Sequence, residues 1–243
     1  MGDALFVLVI SSLAAVLTVM GGVVAEVRDV PQRVIARLLQ FAGGVLTALV
    51  AVTLMAPALR GGSVTGVLIG FFVGGAAFVI MDFAIARRDA PKRDAELASA
   101  STSLFIGVWF DMLIDGVVIG LASTMTLVAG LALAISVAIS TAPLALVSVS
   151  LAREKGMPAR GRWILMGLFA LALISGAVVG YLVLRNMGPD TRLTLVAVAA
   201  GFLVTTVTQS IIPEANRDGE PSLAALFYVA GISLYSLFAL QVV

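Results

Sequence analysis

Eight apolar stretches, each long enough to cross a bilayer, follow one another along this 243-residue chain with only short charged breaks between them. A helix rises about 1.5 Å per residue, so about 20 apolar residues cross the ~30 Å hydrocarbon core. The stretches lie near 4–25, 34–59, 64–86, 103–124, 127–152, 162–185, 193–215 and 222–242. Lipid offers backbone N–H and C=O groups no partner, so stretches of this length fold as helices. The expected fold is an all-α membrane protein, a single domain over 1–243 with eight transmembrane helices. Only 12% of the residues are charged, about half the share of a soluble domain. The net charge of +1 sets up no field for a polyanion, so nucleic acid is not an expected partner. The first stretch lacks a basic leader, carries Asp3 and exceeds the apolar core of a signal peptide, so it reads as a span.

Charge and turn residues mark the breaks: Arg28-Asp29-Val30-Pro31, Arg60-Gly61-Gly62, Arg87 to Glu96, Arg153 to Arg162, Asn186 to Arg192 and Arg217 to Pro221. The fourth and fifth spans join almost directly, at Thr124-Met125-Thr126. The connections after the odd-numbered spans, with their flanks, hold twelve basic residues: Arg28, Arg33, Arg37, Arg87, Arg88, Lys92, Arg93, Arg153, Lys155, Arg160, Arg162 and Arg217. The opposite side holds three, Arg60, Arg185 and Arg192. The excess of Lys and Arg in cytoplasmic loops places the odd connections inside and both termini outside. The expected location is an inner or plasma membrane.

A shift of 157 residues superposes Ala42 on Ala199, Gly44 on Gly201, Leu46 on Leu203 and Ala58 on Ala215. It also places Gly74 on Gly231 and Phe71 on Tyr228. Spans one to three would thus match spans six to eight, with two spans between, giving a 3+2+3 order and triplets of opposite orientation. Inverted repeats of this kind are a recurring build of secondary transporters, with the site near the midplane.

The chemistry concentrates in the fourth span, Trp109-Phe110-Asp111-Met112-Leu113-Ile114-Asp115-Gly116-Val117-Val118-Ile119-Gly120. Asp111 and Asp115 stand at i and i+4 and share one helix face. Counted from residue 103, they lie ~12 and ~18 Å into the hydrocarbon. No span interior offers a Lys or Arg to pair with them. An unpaired charged Asp at that depth costs about 2.5–3.5 kcal/mol even on insertion scales. Protons or a bound cation must therefore neutralise the pair. The fifth span carries Ser136, Ser140, Thr141 and Pro143 at similar depth, and Pro143 frees a carbonyl near Ile139. These hydroxyls and carbonyls suit a second wall of a cation site, or simply close helix packing. Thr205, Thr206, Thr208, Gln209 and Ser210 make the seventh span polar enough to line a path or an interface. Asp82 lies a turn from Arg87 and Arg88 and reads as interfacial; Glu214 lies near Arg217 and is open to either reading.

Histidine and cysteine are both absent, which removes Ser-His triads, His-built metalloproteases, thiolate sites and disulfides. An intramembrane aspartyl enzyme would need a Gly-x-Gly-Asp element that is missing, and Lys92 and Lys155 fall in loops, out of reach of a retinal. An enzyme is not expected, nor is a prosthetic group.

At these residues the chain resembles the ZIP (Zrt-, Irt-like) metal transporters over nearly its whole length. That family has eight spans, outside termini and inverted triplets. Its fourth span carries His-Asn-x-x-Asp-Gly followed by x-x-Ile-Gly; here Asp111 and Met112 replace His and Asn, while Asp115-Gly116 and Ile119-Gly120 match. The family's fifth-span His-Glu-x-Pro-His/Glu reads Ser140-Thr141-Ala142-Pro143-Leu144. The family ending Leu-Ile-Pro-Glu-Ala resembles Ile211-Ile212-Pro213-Glu214-Ala215. The resemblance implies transport of divalent cations, with Asp111 and Asp115 as metal ligands. It implies a route past Met112, Ser140, Thr141, Pro143, Gln209 and Glu214. The ligands are reduced to a hard, oxygen-only set, which favours Mg, Ca or Mn over Zn. The alternatives are a ZIP-fold carrier of another solute that uses the Asp pair for proton or Na+ coupling, and a non-transporting relative. The Gly70/Gly74 and Gly176/Gly180 spacings serve a homodimer as well as contacts within one subunit. Accessibility labelling of Lys92 and Lys155 should mark both from the same side of the membrane; labelling from opposite sides would refute the topology.

Overall fold

The computed structural model describes residues 2–88, 95–124, 127–216 and 223–242, and every one of these segments is helical along most of its length. Residues 89–94 with Lys92 and Arg93, the join at Met125-Thr126, and 217–222 with Arg217 lie outside the described residues. The helices are α1 (Gly2–Val27), α2 (Gln32–Ala48), α3 (Ala56–Gly61), α4 (Val64–Arg88), α5 (Ala95–Ser123), α6 (Leu127–Glu154), α7 (Ala159–Leu184), α8 (Pro189–Thr206), α9 (Ile212–Ala215) and α10 (Leu223–Val242). No strand occurs among the described residues. Seven helical stretches are long and apolar enough to cross a membrane; the apolar stretch of α10, Ala224–Leu240, is shorter. Phe72, Ile80 and Leu240 are among many large apolar side chains on the outer surface, as a lipid-facing surface requires.

Two of the spanning stretches are not plain α-helices. Between α2 and α3 the chain widens into a π-helical segment, Leu49–Met55, and between α8 and α9 into a second, Val207–Ile211. Each is followed within two residues by a proline, Pro57 and Pro213. A proline inside a helix has no N–H to give and its ring crowds the carbonyl one turn back; a π turn relieves that crowding. Pro143 has no such neighbour segment, and α6 runs as α-helix through it. The α6–α7 turn closes on Gly156, whose φ of 75° is the left-handed value glycine tolerates. There Met157 N–H reaches back to Ala152 O at 2.9 Å.

The stretches Gln32–Gly61, Phe105–Thr124 and Leu133–Glu154 are among the most buried and form the centre, while Val64–Ala84 and Ala4–Val27 are peripheral. The main packing partners are α5 with α7, α1 with α6, α4 with α8, and α2 with α10. These pairings form two matched sets. A shift of 157 residues carries α1 onto α7 at both ends, Gly2 to Ala159 and Val27 to Leu184. The same shift carries the glycine contacts of one pairing onto the other. A methyl on Gly74 would strike the Val198 carbonyl and one on Gly201 the Phe71 carbonyl, where α4 crosses α8. A methyl on Gly231 would strike the Phe41 carbonyl and one on Gly44 the Tyr228 carbonyl, where α10 crosses α2. At the end of α1, Glu26 takes a two-pronged ion pair from Arg162 of α7, both distances 2.6 Å. Arg162 also donates to the Met157 carbonyl.

Replacing Gly74 or Gly201 by Ala should destabilise the detergent-solubilised protein by about 1–3 kcal/mol, since neither backbone can give way. Gly167→Ala, with nothing near its new methyl, should be neutral or gain up to ~1 kcal/mol of helix propensity. Thermal melting of the three variants checks the contrast.

Candidate functional site

Asp111 and Asp115 both have fully buried side chains on the inward face of α5. None of their four carboxylate oxygens has a hydrogen-bond partner among the described residues. In the apolar span Phe105–Thr124 they stand about 9 and 15 Å from the Phe105 end, by the helical rise. Position on the helix follows from the sequence, since i and i+4 share a face; full burial follows from packing. Gly116 and Gly120, beside the pair, let α5 press against the backbone of α7: methyls there would strike the Leu173 and Ala177 carbonyls. Gly176 and Gly180 of α7 return the contact against Leu113 and Val117. Thus the Gly176/Gly180 spacing is used within one chain.

The fifth-span hydroxyls are buried as well, and their bonds are made locally. Ser140 and Thr141 each donate to the Val137 carbonyl at 2.8 Å. Thr141 Oγ1 also lies 2.6 Å from Thr18 Oγ1 of α1, which itself reaches the Ala14 carbonyl. Hydroxyl oxygens keep acceptor lone pairs while donating, so Ser140 and Thr141 retain the capacity to face a cation. Met112 is wholly buried and packs in the main core. Pro143 is half-buried, and the Ala142 carbonyl beside it receives the close approach of Gly21.

Gln209 is exposed on the second π-helical segment and Glu214 is half-buried on α9. Thr205, Thr206 and Thr208 bond to carbonyls of their own helix. No group of three or more His, Cys, Asp or Glu side chains suited to holding a metal occurs among the described residues. Any cation held by Asp111 and Asp115 would have neutral oxygens for its other ligands.

One cluster escaped the sequence reading. Tyr235 of α10 is buried, and its hydroxyl lies 2.9 Å from Thr53 Oγ1 in the first π-helical segment. Ser136 of α6 bonds to the same hydroxyl. A tyrosine in an apolar span needs a partner for its hydroxyl, and that was the available signal. Comparison of the sequence with protein-family models and with curated proteins finds no match.

Among the described residues, then, two fully buried carboxyl groups share one helix face with no hydrogen-bond partner. The chemical test is isosteric neutralisation. Asp111→Asn and Asp115→Asn, melted in detergent with chelator, should each stay within about 1 kcal/mol of wild type or exceed it. A loss of about 3–5 kcal/mol, the cost of breaking a buried ion pair, would mark a partner and refute the assignment.

Proposed function

We propose that this chain is a ZIP-like transporter of divalent metal cations, of the zinc, manganese and iron class, with Asp111 and Asp115 as the central ligands. The observation that carries this reading is the set of four buried carboxylate oxygens without a protein partner on a helix packed at the centre of an apolar bundle. Evolution has little reason to bury such a pair for stability, because its desolvation is costly and nothing offsets it. A cation offsets it each time one passes.

In this reading α10 is an eighth crossing and both termini lie outside. The inner pair α5 and α6 stands between inverted triplets, α1–α4 and α7–α10. The matched glycine crossings and the equal bounds of α1 and α7 support that order. In this reading Ser140 and Thr141 supply neutral oxygens, and Pro143 lies in the helix that carries them. Met112 shapes the wall. Gln209 and Glu214 then line the cytoplasmic part of the route. The membrane is a plasma or inner membrane.

The oxygen-only set favours hard ions, so Mn2+ should compete better against Zn2+ than it does at a His-bearing site. A second reading, a carrier of another solute coupled to protons or Na+, draws on the absence, among the described residues, of a group of three or more acidic side chains. Uptake of Mn2+ into proteoliposomes decides between them. Wild type should take up Mn2+, Asp115→Asn should lose at least about tenfold, and Asp111→Asn should lose less. Saturating Mn2+ at 100 times its Kd should also raise wild-type stability by ~2.7 kcal/mol. Normal uptake by Asp115→Asn would overturn the central-carboxylate mechanism. Tight Zn2+ uptake undisturbed by excess Mn2+ would overturn the selectivity. Proton or Na+ flux without any metal uptake would move the second reading to first place.

A further inference from the structure

The helix pairs α5–α7 and α4–α8 are each closed by glycine contacts against backbone, Gly116 and Gly120 in the first and Gly74 and Gly201 in the second. Between the two pairs runs an apolar crevice. One cavity of about 310 Å³ lies among the first π-helical segment, the end of α5 and the start of α8. A second, of about 250 Å³, lies among α4, α5, α7 and α8. Val118, Leu121 and Val196 wall both, so the two adjoin. Along α8 the walls run from Arg192 to Phe202, about 15 Å by the helical rise.

The crevice has a buried floor and an exposed rim. Val118, Leu184, Val196 and Phe202 are buried, while Val179, Val183 and Leu195 lie open on the outer surface of the bundle. Gly74, Ala77 and Ala199 carry little or no side chain to fill the space. The smaller cavity has apolar walls throughout, so it opens sideways onto hydrocarbon and not onto water. In the larger one the polar wall residues are Thr53 and Arg192. The Thr53 hydroxyl is already engaged by Tyr235 at 2.9 Å, which leaves Arg192 as the polar end of the crevice.

Arg192 stands one turn inside the apolar stretch Pro189–Ala215. Its Nε donates to the Met187 carbonyl at 2.8 Å and its Nη2 to the Arg185 carbonyl at 2.6 Å. These bonds pin the guanidinium across the α7–α8 turn, and Nη1 takes part in neither. A basic side chain near the end of a spanning helix reaches the headgroup level while its stem stays in hydrocarbon. A guanidinium held there meets lipid phosphates, with which it forms short, charge-assisted hydrogen bonds. Asp190, the acidic residue of the same turn, is exposed and does not wall the crevice.

We propose that this crevice binds one phospholipid, with an acyl chain between the two helix pairs and the phosphodiester at Arg192. A helix of a second copy, ~10–12 Å across with its side chains, is too wide for it. An acyl chain is narrow, flexible and supplied by the surrounding bilayer. A chain that enters leaves one hydrocarbon for another, so apolar contact by itself contributes little. The bond from phosphate to guanidinium therefore decides the affinity, and the apolar walls decide where the chain goes. Neither Asp111 nor Asp115 walls the crevice, so the proposal holds whatever that pair carries.

The test is native mass spectrometry of the full chain in detergent, titrated with palmitoyl-oleoyl phosphatidylglycerol and, separately, with the diacylglycerol of the same chains. Wild type should hold one phosphatidylglycerol more tightly than any that follow, and the diacylglycerol only weakly. Arg192→Gln should weaken the first site about tenfold, the loss of one hydrogen bond to a charged group. Arg192→Lys gives up the paired carbonyl bonds but keeps the charge, and should retain most of the affinity. Ala199→Phe fills the crevice and should displace the lipid while the chain melts as a folded protein. Arg60→Gln, a basic residue that does not wall the crevice, should bind as wild type does. Wild-type binding by both Arg192→Gln and Ala199→Phe would overturn the proposal. So would equal binding of diacylglycerol and phosphatidylglycerol, equal losses in Arg192→Lys and Arg192→Gln, or a dimer in place of the lipid-bound monomer.

Discussion

Helices in lipid gain little from meeting through apolar side chains, because the hydrocarbon they leave is as apolar as leucine. What holds this bundle is how closely its backbones approach, and glycine sets that distance. Gly74 with Gly201, Gly44 with Gly231, and Gly116 and Gly120 with Gly176 and Gly180 each remove a Cβ that would otherwise collide with a carbonyl of the partner helix. These contacts fix three of the four main pairings, and the fourth, α1 with α6, is set by Gly21 against Ala142. Dispersion between backbones at contact distance replaces the hydrophobic drive that a soluble bundle would use.

That tight frame explains how two carboxyl groups sit at its centre without partners. Gly116 and Gly120 draw α5 onto α7, and Asp111 and Asp115 on the same helix are shut off from solvent. A looser bundle would let water or a basic side chain in and relieve the pair.

The two halves share their backbone plan and differ in polarity. Tyr228 and Tyr235 face Thr47 and Thr53 in one, while Phe71 and Phe78 stand in the corresponding places of the other. The proline-linked π-helical segments fall at matched places too, so each half carries one stretch where the helical ladder is already loosened.

The helical class was legible in residue order alone, because apolar runs of fixed length in lipid have few folds open to them, and each of the seven long apolar stretches overlaps a segment read as a span. Boundaries were less legible: α5 begins at Ala95 rather than near 103, and α8 at Pro189 rather than 193, since polar first turns carry no apolar signal. The i, i+4 spacing of Asp111 and Asp115, and the shift of 157 that pairs Gly44 with Gly201, were also readable from residue order alone. Which glycine meets which carbonyl, the burial of both aspartates and the convergence of Thr53, Ser136 and Tyr235 from three separate elements were decided by tertiary structure. Thr53 and Tyr235 are 182 residues apart. Periodicity along one helix says which face a side chain takes, but only packing says which other helix that face meets.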